Sequence, residues 1–264
     1  MMQRKIEMTY RTLSYLFALL LLSGCVAKTP TGPPKPKLDS TSFNFGRIPT
    51  NTVITHTYRL TNEGGDSVVI EKLRTHCGCT KAPLSDSVVG PGEMVPIELR
   101  FNARGYRGQT TKSASITYRF GEDIKTERLS FNATADTTTP AFQTGELGAT
   151  PPIAEFTDSA KEVELWLTNR VATEREVVIV DYQSDRIKLP WKSKKIGPKE
   201  TVKITIKRLV PAEGLVASIT LEMSGRPNTR ITIPVREYSA QSRPTVHTKP
   251  SSPKPVKPLT PWQM

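Results

Sequence analysis

From Val53 to Leu60 the chain reads VITHTYRL, an alternation that puts Ile54, Tyr58 and Leu60 on one side and Thr55, Thr57 and Arg59 on the other. Glu162 to Leu167 (EVELWL) and Val202 to Lys207 (VKITIK) keep the same period. An extended backbone sends successive side chains to opposite faces. A period of two, rich in β-branched residues, therefore predicts antiparallel strands with one buried face. Asn-Glu-Gly-Gly at 62–65 and Gly-Pro-Gly at 90–92 interrupt the runs as turns. After the N-terminal leader no amphipathic helix is legible.

The pattern also returns. Phe43-Asn44-Phe45-Gly46-Arg47-Ile48 is echoed from Phe142 to Leu147, and Leu60-Thr61-Asn62 by Leu167-Thr168-Asn169. Val68-Val69-Ile70 is echoed by Val177-Val178-Ile179, and Gly90-Pro91-Gly92-Glu93 by Gly197-Pro198-Lys199-Glu200. The four offsets are 99, 107, 109 and 107 residues. Persistent order and spacing predict a duplicated domain, with about seven strands in each roughly 100-residue unit. The expected fold class is all-β: two tandem immunoglobulin-like β-sandwich domains at 38–136 and 140–238, with an N-terminal signal helix and a disordered Pro-rich tail. The buried Trp packed on a Cys–Cys bridge that marks antibody domains is missing.

The ends have another character. Arg4, Lys5 and Arg11 precede an apolar run from Tyr15 to Leu22, too short to span a bilayer, and then Leu22-Ser23-Gly24-Cys25. That tetrapeptide resembles the lipobox of bacterial lipoproteins. The resemblance implies that residues 1–24 are cleaved as a signal peptide and that Cys25 is diacylated, a stable membrane anchor. Residues 25–37 read as a Pro-rich tether and 239–264 as a disordered basic Pro-rich tail, since neither holds enough apolar residues for a core. The formal charge is +12, of which the body from Thr41 to Ser239 holds +4. The excess sits in the ends, which argues against nucleic acid as a partner.

One stretch carries chemistry: Arg74-Thr75-His76-Cys77-Gly78-Cys79-Thr80. With Cys25 acylated, Cys77 and Cys79 are the remaining thiols, in a compartment that is normally oxidising. Three readings stand open. Thiolates with imidazole suit copper(I) or zinc(II), and strand alternation could bring His56 to join His76, Cys77 and Cys79 as ligands. Gly78 permits a local Cys77–Cys79 disulfide, either redox-active or a structural clip. Two small cysteines could also simply pack at the sandwich end. The Gly105-Tyr106-Arg107-Gly108 element sits between strands and lacks the helix a phosphate cradle needs. No nucleophile-elbow motif is present, and three histidines leave few options for base catalysis.

Phe43-x-Phe45-Gly46-x-Ile48, His56-Thr57-Tyr58-Arg59-Leu60-Thr61-Asn62, His76-Cys77-Gly78-Cys79-Thr80 and Gly90-Pro91-Gly92-Glu93 together resemble the domain-of-unknown-function family 1573, from about Leu38 to Asp136. The resemblance implies an immunoglobulin-like fold and an envelope setting, typical of secreted or lipid-anchored proteins of Bacteroidota. It implies no established activity. The second unit departs from the motif, reading Tyr182-Gln183-Ser184-Asp185-Arg186 where HCGCT should stand. The expected protein is a lipid-anchored binding or assembly module of the envelope, outer membrane facing the periplasm, with other envelope proteins as partners and no catalysis. Sandwich edges would be its contact surfaces. The rival expectation is a copper, zinc or thiol redox protein working through Cys77 and Cys79.

Overall fold

The structure, a computed structural model, describes residues 30–83, 86–136, 142–143, 145–157, 159–211 and 213–237. Cys25, the signal peptide and the tail from 239 lie outside the described residues. Within them every regular element is a strand.

The first half holds β1 (Pro36–Leu38), β2 (Ser42–Pro49), β3 (Val53–Asn62), β4 (Val68–Thr75), β5 (Thr80–Lys81), β6 (Val88–Val89), β7 (Met94–Asn102), β8 (Gly108–Phe120) and β9 (Asp123–Asp136). One sheet runs β1-β3-β7-β5 and packs on the strands β2-β9-β8-β4-β6. Alternation does what the pattern predicts: Ile54, Tyr58 and Leu60 of β3 meet Ile97, Leu99 and Phe101 of β7 and Ile116, Tyr118 and Phe131 of the facing sheet.

The second half repeats the plan with β10 (Phe142–Gln143), β11 (Leu147–Thr150), β12 (Ala154–Phe156), β13 (Glu162–Asn169), β14 (Arg175–Tyr182), β15 (Ile187–Lys188), β16 (Ser193–Ile196), β17 (Thr201–Arg208), β18 (Val216–Met223) and β19 (Arg226–Glu237). The sheet β10-β11-β13-β17-β15 packs on β16-β14-β18-β19 around a separate core that includes Leu165, Leu167, Ile204, Ile219 and Ile233. The two bodies share a sheet: β19 pairs β2 in parallel at Ile231 and Arg47, which makes β16-β14-β18-β19-β2-β9-β8-β4-β6 continuous.

The repeated landmarks have local physical causes. Asn62 is buried; its amide donates to the carbonyls of Asp66 and Val89, and its Oδ1 accepts from Lys35 and Gly64. Asn169 does the same with the carbonyls of Thr173, Ile196 and Gly197 and the amide of Val171. Each asparagine closes one end of its sandwich by satisfying backbone groups that no strand reaches. In the Gly-Pro-x-Glu turns, Glu93 and Glu200 accept the amides of Gly90 and Gly197, and the third residue is left-handed in both, Gly92 at φ 74° and Lys199 at φ 57°.

At the sheet edges the strands β1, β5, β6, β10, β15 and β16 are two to four residues long. Short edges discourage strand addition, which narrows the expectation that sandwich edges in general are contact surfaces. A longer open edge belongs to β3, whose first half lies beyond its pairing with β1. The second sandwich covers it.

Candidate functional site

The segment Gln183–Ile187 follows β14 as His76–Thr80 follows β4. Both strands carry a bulge just before it, at Ile70/Lys72 and Ile179/Asp181. Both segments lead into a two-residue strand on matching partners, Thr80 opposite Phe101 and Ile187 opposite Arg208. Gln183 therefore stands where His76 does, Arg186 where Cys79 does, and Asp181 where Arg74 does.

In the second sandwich this end is a docking surface. Ser218 Oγ accepts the amide of Thr55 at 3.0 Å, and Gln183 Nε2 donates to the carbonyl of Thr55 at 3.3 Å. Gln183 Oε1 accepts the amide of Ser218 at 2.6 Å, so one side chain ties both bodies. Asp181 Oδ2 lies 2.6 Å from His56 Nδ1, and His56 stacks on Phe43 with ring centroids 3.7 Å apart. Arg186 pairs with Glu98, which Arg100 also holds, and donates to the carbonyl of Val216. Burial would push the Glu98 carboxyl up, but the hydrogen bonds from Arg186 and Arg100 outweigh it and hold it below the usual carboxylate range. Thr55 is 0% exposed and His56 and Glu98 7% each. The Thr55 backbone, His56 and Glu98 are paired, as buried polar groups must be to persist, while the Thr55 hydroxyl has no hydrogen-bond partner among the described residues. A cleft of about 470 Å³ opens beside them, lined among others by Arg59, Met94, Tyr182 and Asp185.

In the first sandwich the equivalent end is uncovered among the described residues. His76 is clamped on β8: its amide donates to the carbonyl of Ser113 at 3.0 Å, Nδ1 lies 3.2 Å from Ser113 Oγ, and Nε2 lies 2.8 Å from Ser115 Oγ. Arg128 Nη2 donates to Ser113 Oγ at 2.9 Å. Lys72, Arg74, Thr75, His76, Ser115 and Thr117 line a trough of about 390 Å³ on this face. Beside it Cys77 and Cys79 are joined in a disulfide across a Cα–Cα distance of 5.3 Å, and both sulfurs lie near Thr80 Oγ1.

The four groups considered as metal ligands are thus not assembled. His56 is on the inner face of β3 as alternation allows, but its Nδ1 is held by Asp181 of the other sandwich. His76 is engaged by two serines, and the two sulfurs are bonded to each other. Among the described residues no three His, Cys, Asp or Glu side chains converge as a metal would require. The junction residues Thr55, Gln183 and Ser218 were not singled out by sequence. Their signal was weak: polar residues on strands read as solvent-facing, and the visible trace was the departure from HCGCT, read in sequence at Tyr182–Arg186 and placed by the register one residue later, at Gln183–Ile187.

Residues 36–135 match the model of the family described as "Protein of unknown function (DUF1573)". No curated protein matches the chain. Similar solved structures include the Vibrio cholerae VesB protease, at 10% identity and TM-score 0.34, with 39% of this chain and 32% of that chain covered. The chain thus spans about a third of that protease's length. Domain 7 of human CEP192, an ASH/PapD-like domain, shows 13% identity and TM-score 0.34 over 45% of this chain and 97% of its own. The YadV chaperone shows 13% identity and TM-score 0.31 over 76% and 98%.

Proposed function

We propose that this chain, whose residues 36–135 match DUF1573, is a lipid-anchored, non-catalytic binding or assembly module of the cell envelope. One observation carries the reading: the end of one sandwich recognises the open strand edge of another through buried hydrogen bonds to the backbone of Thr55. Paired backbone donors and acceptors along an edge are what an extended polypeptide offers a partner. Acylated Cys25 and the Pro-rich segment that leads from it into β1 hold the body at the outer membrane on its periplasmic side, where other envelope proteins are its partners.

The test has two arms. The mature protein should carry two acyl chains on Cys25, and Cys25→Ser should move it from the membrane to the soluble fraction. A photo-crosslinker placed at Arg74 should give one defined adduct in the native envelope, and the same group at Lys203 should not. Mature material without acyl mass, or equal adducts from both positions, rejects the proposal.

The Cys77–Cys79 disulfide favours a second reading, thiol–disulfide exchange. A Cys77→Ser, Cys79→Ser variant that keeps its fold and its Arg74 adduct supports the module. Loss of a reductase-coupled thiol titration together with the adduct favours exchange.

A further inference from the structure

The face of the second sandwich that grips the first is built from Asp181, Gln183, Ser218, Thr220, Thr232 and Arg186. Register assigns each a counterpart. Asp181 is opposite Thr220 as Arg74 is opposite Ser115, and Thr220 is opposite Thr232 as Ser115 is opposite Arg128. One step further along, Gln183 and Ser218 hold the register positions of His76 and Ser113, though the bonds differ: the Ser218 amide donates to Gln183 Oε1, and the His76 amide donates to the Ser113 carbonyl. The trough of the first sandwich is therefore a second example of a surface whose first example is occupied in the same molecule.

At the position of Asp181 its charge is reversed. Where the occupied face presents the Asp181 carboxylate to His56, the uncovered one presents Arg74, with Lys72 and Arg128 beside it. Among the described residues none of these three has a carboxylate partner, although ion pairs are frequent elsewhere. The hydroxyls share the polarity. Arg128 donates to Ser113 Oγ, Ser113 can donate to His76 Nδ1, and Nε2–H can donate to Ser115 Oγ. That order leaves the Ser115 hydroxyl proton free for a ligand.

We infer that this trough docks the open edge of an acidic β-strand from a protein partner, as the equivalent face of the second sandwich docks β3. The partner's backbone meets the free Ser115 hydroxyl at the rim of the trough, and its carboxylates meet Arg74, Lys72 and Arg128. The inference rests on the reading of the chain as a binding module and names the surface and the partner chemistry.

The probe is a blocked heptapeptide alternating threonine and glutamate, titrated into the full chain. The chain has three histidines, so ring resonances report position directly. The glutamate peptide should shift His76 saturably and leave His56 unmoved, with a Kd of about 0.1–1 mM expected for exposed charge pairs. It should weaken in high salt. Arg74→Gln with Arg128→Gln, both exposed and remote from the cores, should weaken binding about tenfold. An unmoved His76, or equal binding of the glutamine analogue, overturns the inference. So does an equal response to free glutamate, inorganic phosphate or anionic phosphatidylglycerol vesicles, which would make the trough a small-anion or membrane site. A sedimenting dimer abolished by Arg74→Gln would assign the trough to a second copy and overturn it too. Each of these leaves the acylation of Cys25 untouched, so failure of the docking inference is told apart from failure of the lipid-anchored reading.

Discussion

At the scale of single residues, the sulfur pair draws attention and a buried amide does more for stability. Closing a ring as small as Cys77–Cys79 removes little chain entropy, about 1.5 kcal/mol in the loop-closure model. Asn62 makes four hydrogen bonds from a site 1% exposed. Truncating it strands buried backbone donors and acceptors, each costing about 1–3 kcal/mol. Urea unfolding should therefore show Asn62→Ala losing about 3 kcal/mol or more, and Cys77→Ser with Cys79→Ser losing under about 2 kcal/mol. A double-serine variant that unfolds earlier than Asn62→Ala would reverse this ranking. Glu98 adds a pH dependence. Its folded carboxyl lies below the ordinary range because Arg186 and Arg100 outweigh burial. A depressed pKa means stability that is fully present above the unfolded value, about 4.3, and lost as pH falls through the folded one. Between pH 7 and pH 3 the wild type should lose more stability than Glu98→Gln. Parallel acid limbs would show that Glu98 is not the coupled group.

At the scale of elements, the long strands were legible because each has one wet and one dry face. Ile54, Tyr58 and Leu60 declare β3 before any coordinate is known, and Leu165 and Leu167 declare β13. The two-residue strands β5 and β15 were not, since no period shows in two residues. Nor was the junction, because alternation assigns Thr55 to the outer face and cannot say that a second body lies there. The bulges were also silent. In β14 the extra residue is Val180, between Ile179 opposite Leu221 and Asp181 opposite Thr220. Pairing sets the face of a strand residue, so without Val180 the ladder becomes regular and Asp181 and Gln183 keep their side. Deleting Val180 should therefore leave the His56 ring resonances close to those of the wild type. A His56 that moves to solvent-like positions would mean that the bulge itself sets the contact.

At the scale of the whole molecule, the question is what makes two sandwiches one body, and the answer converges on Gly46. Arg230 donates to the carbonyl of Asn44 at 2.9 Å and Thr232 to that of Phe45 at 2.6 Å, so the chain of β2 lies directly on β19. Gly46 has φ 66°, and a Cβ there would stand 2.1 Å from the carbonyl oxygen of Arg230. Gly105, at φ 78°, has open space around the same position. The two glycines thus separate backbone strain from steric exclusion. An alanine in a left-handed conformation costs about 1 kcal/mol at either site. Only at Gly46 must it also push the second sandwich away, stripping partners from Thr55, His56 and Glu98, whose buried polar atoms cost about 1–3 kcal/mol each when unpaired. With the junction intact, the two cores should melt in one calorimetric transition. Gly105→Ala should keep that single transition a few degrees lower. Gly46→Ala should split it in two and raise the radius of gyration in solution scattering, with the inner packing of each sandwich retained. If Gly46→Ala instead melts as one unit at the temperature of Gly105→Ala, the contact at Arg230 is not what couples the domains.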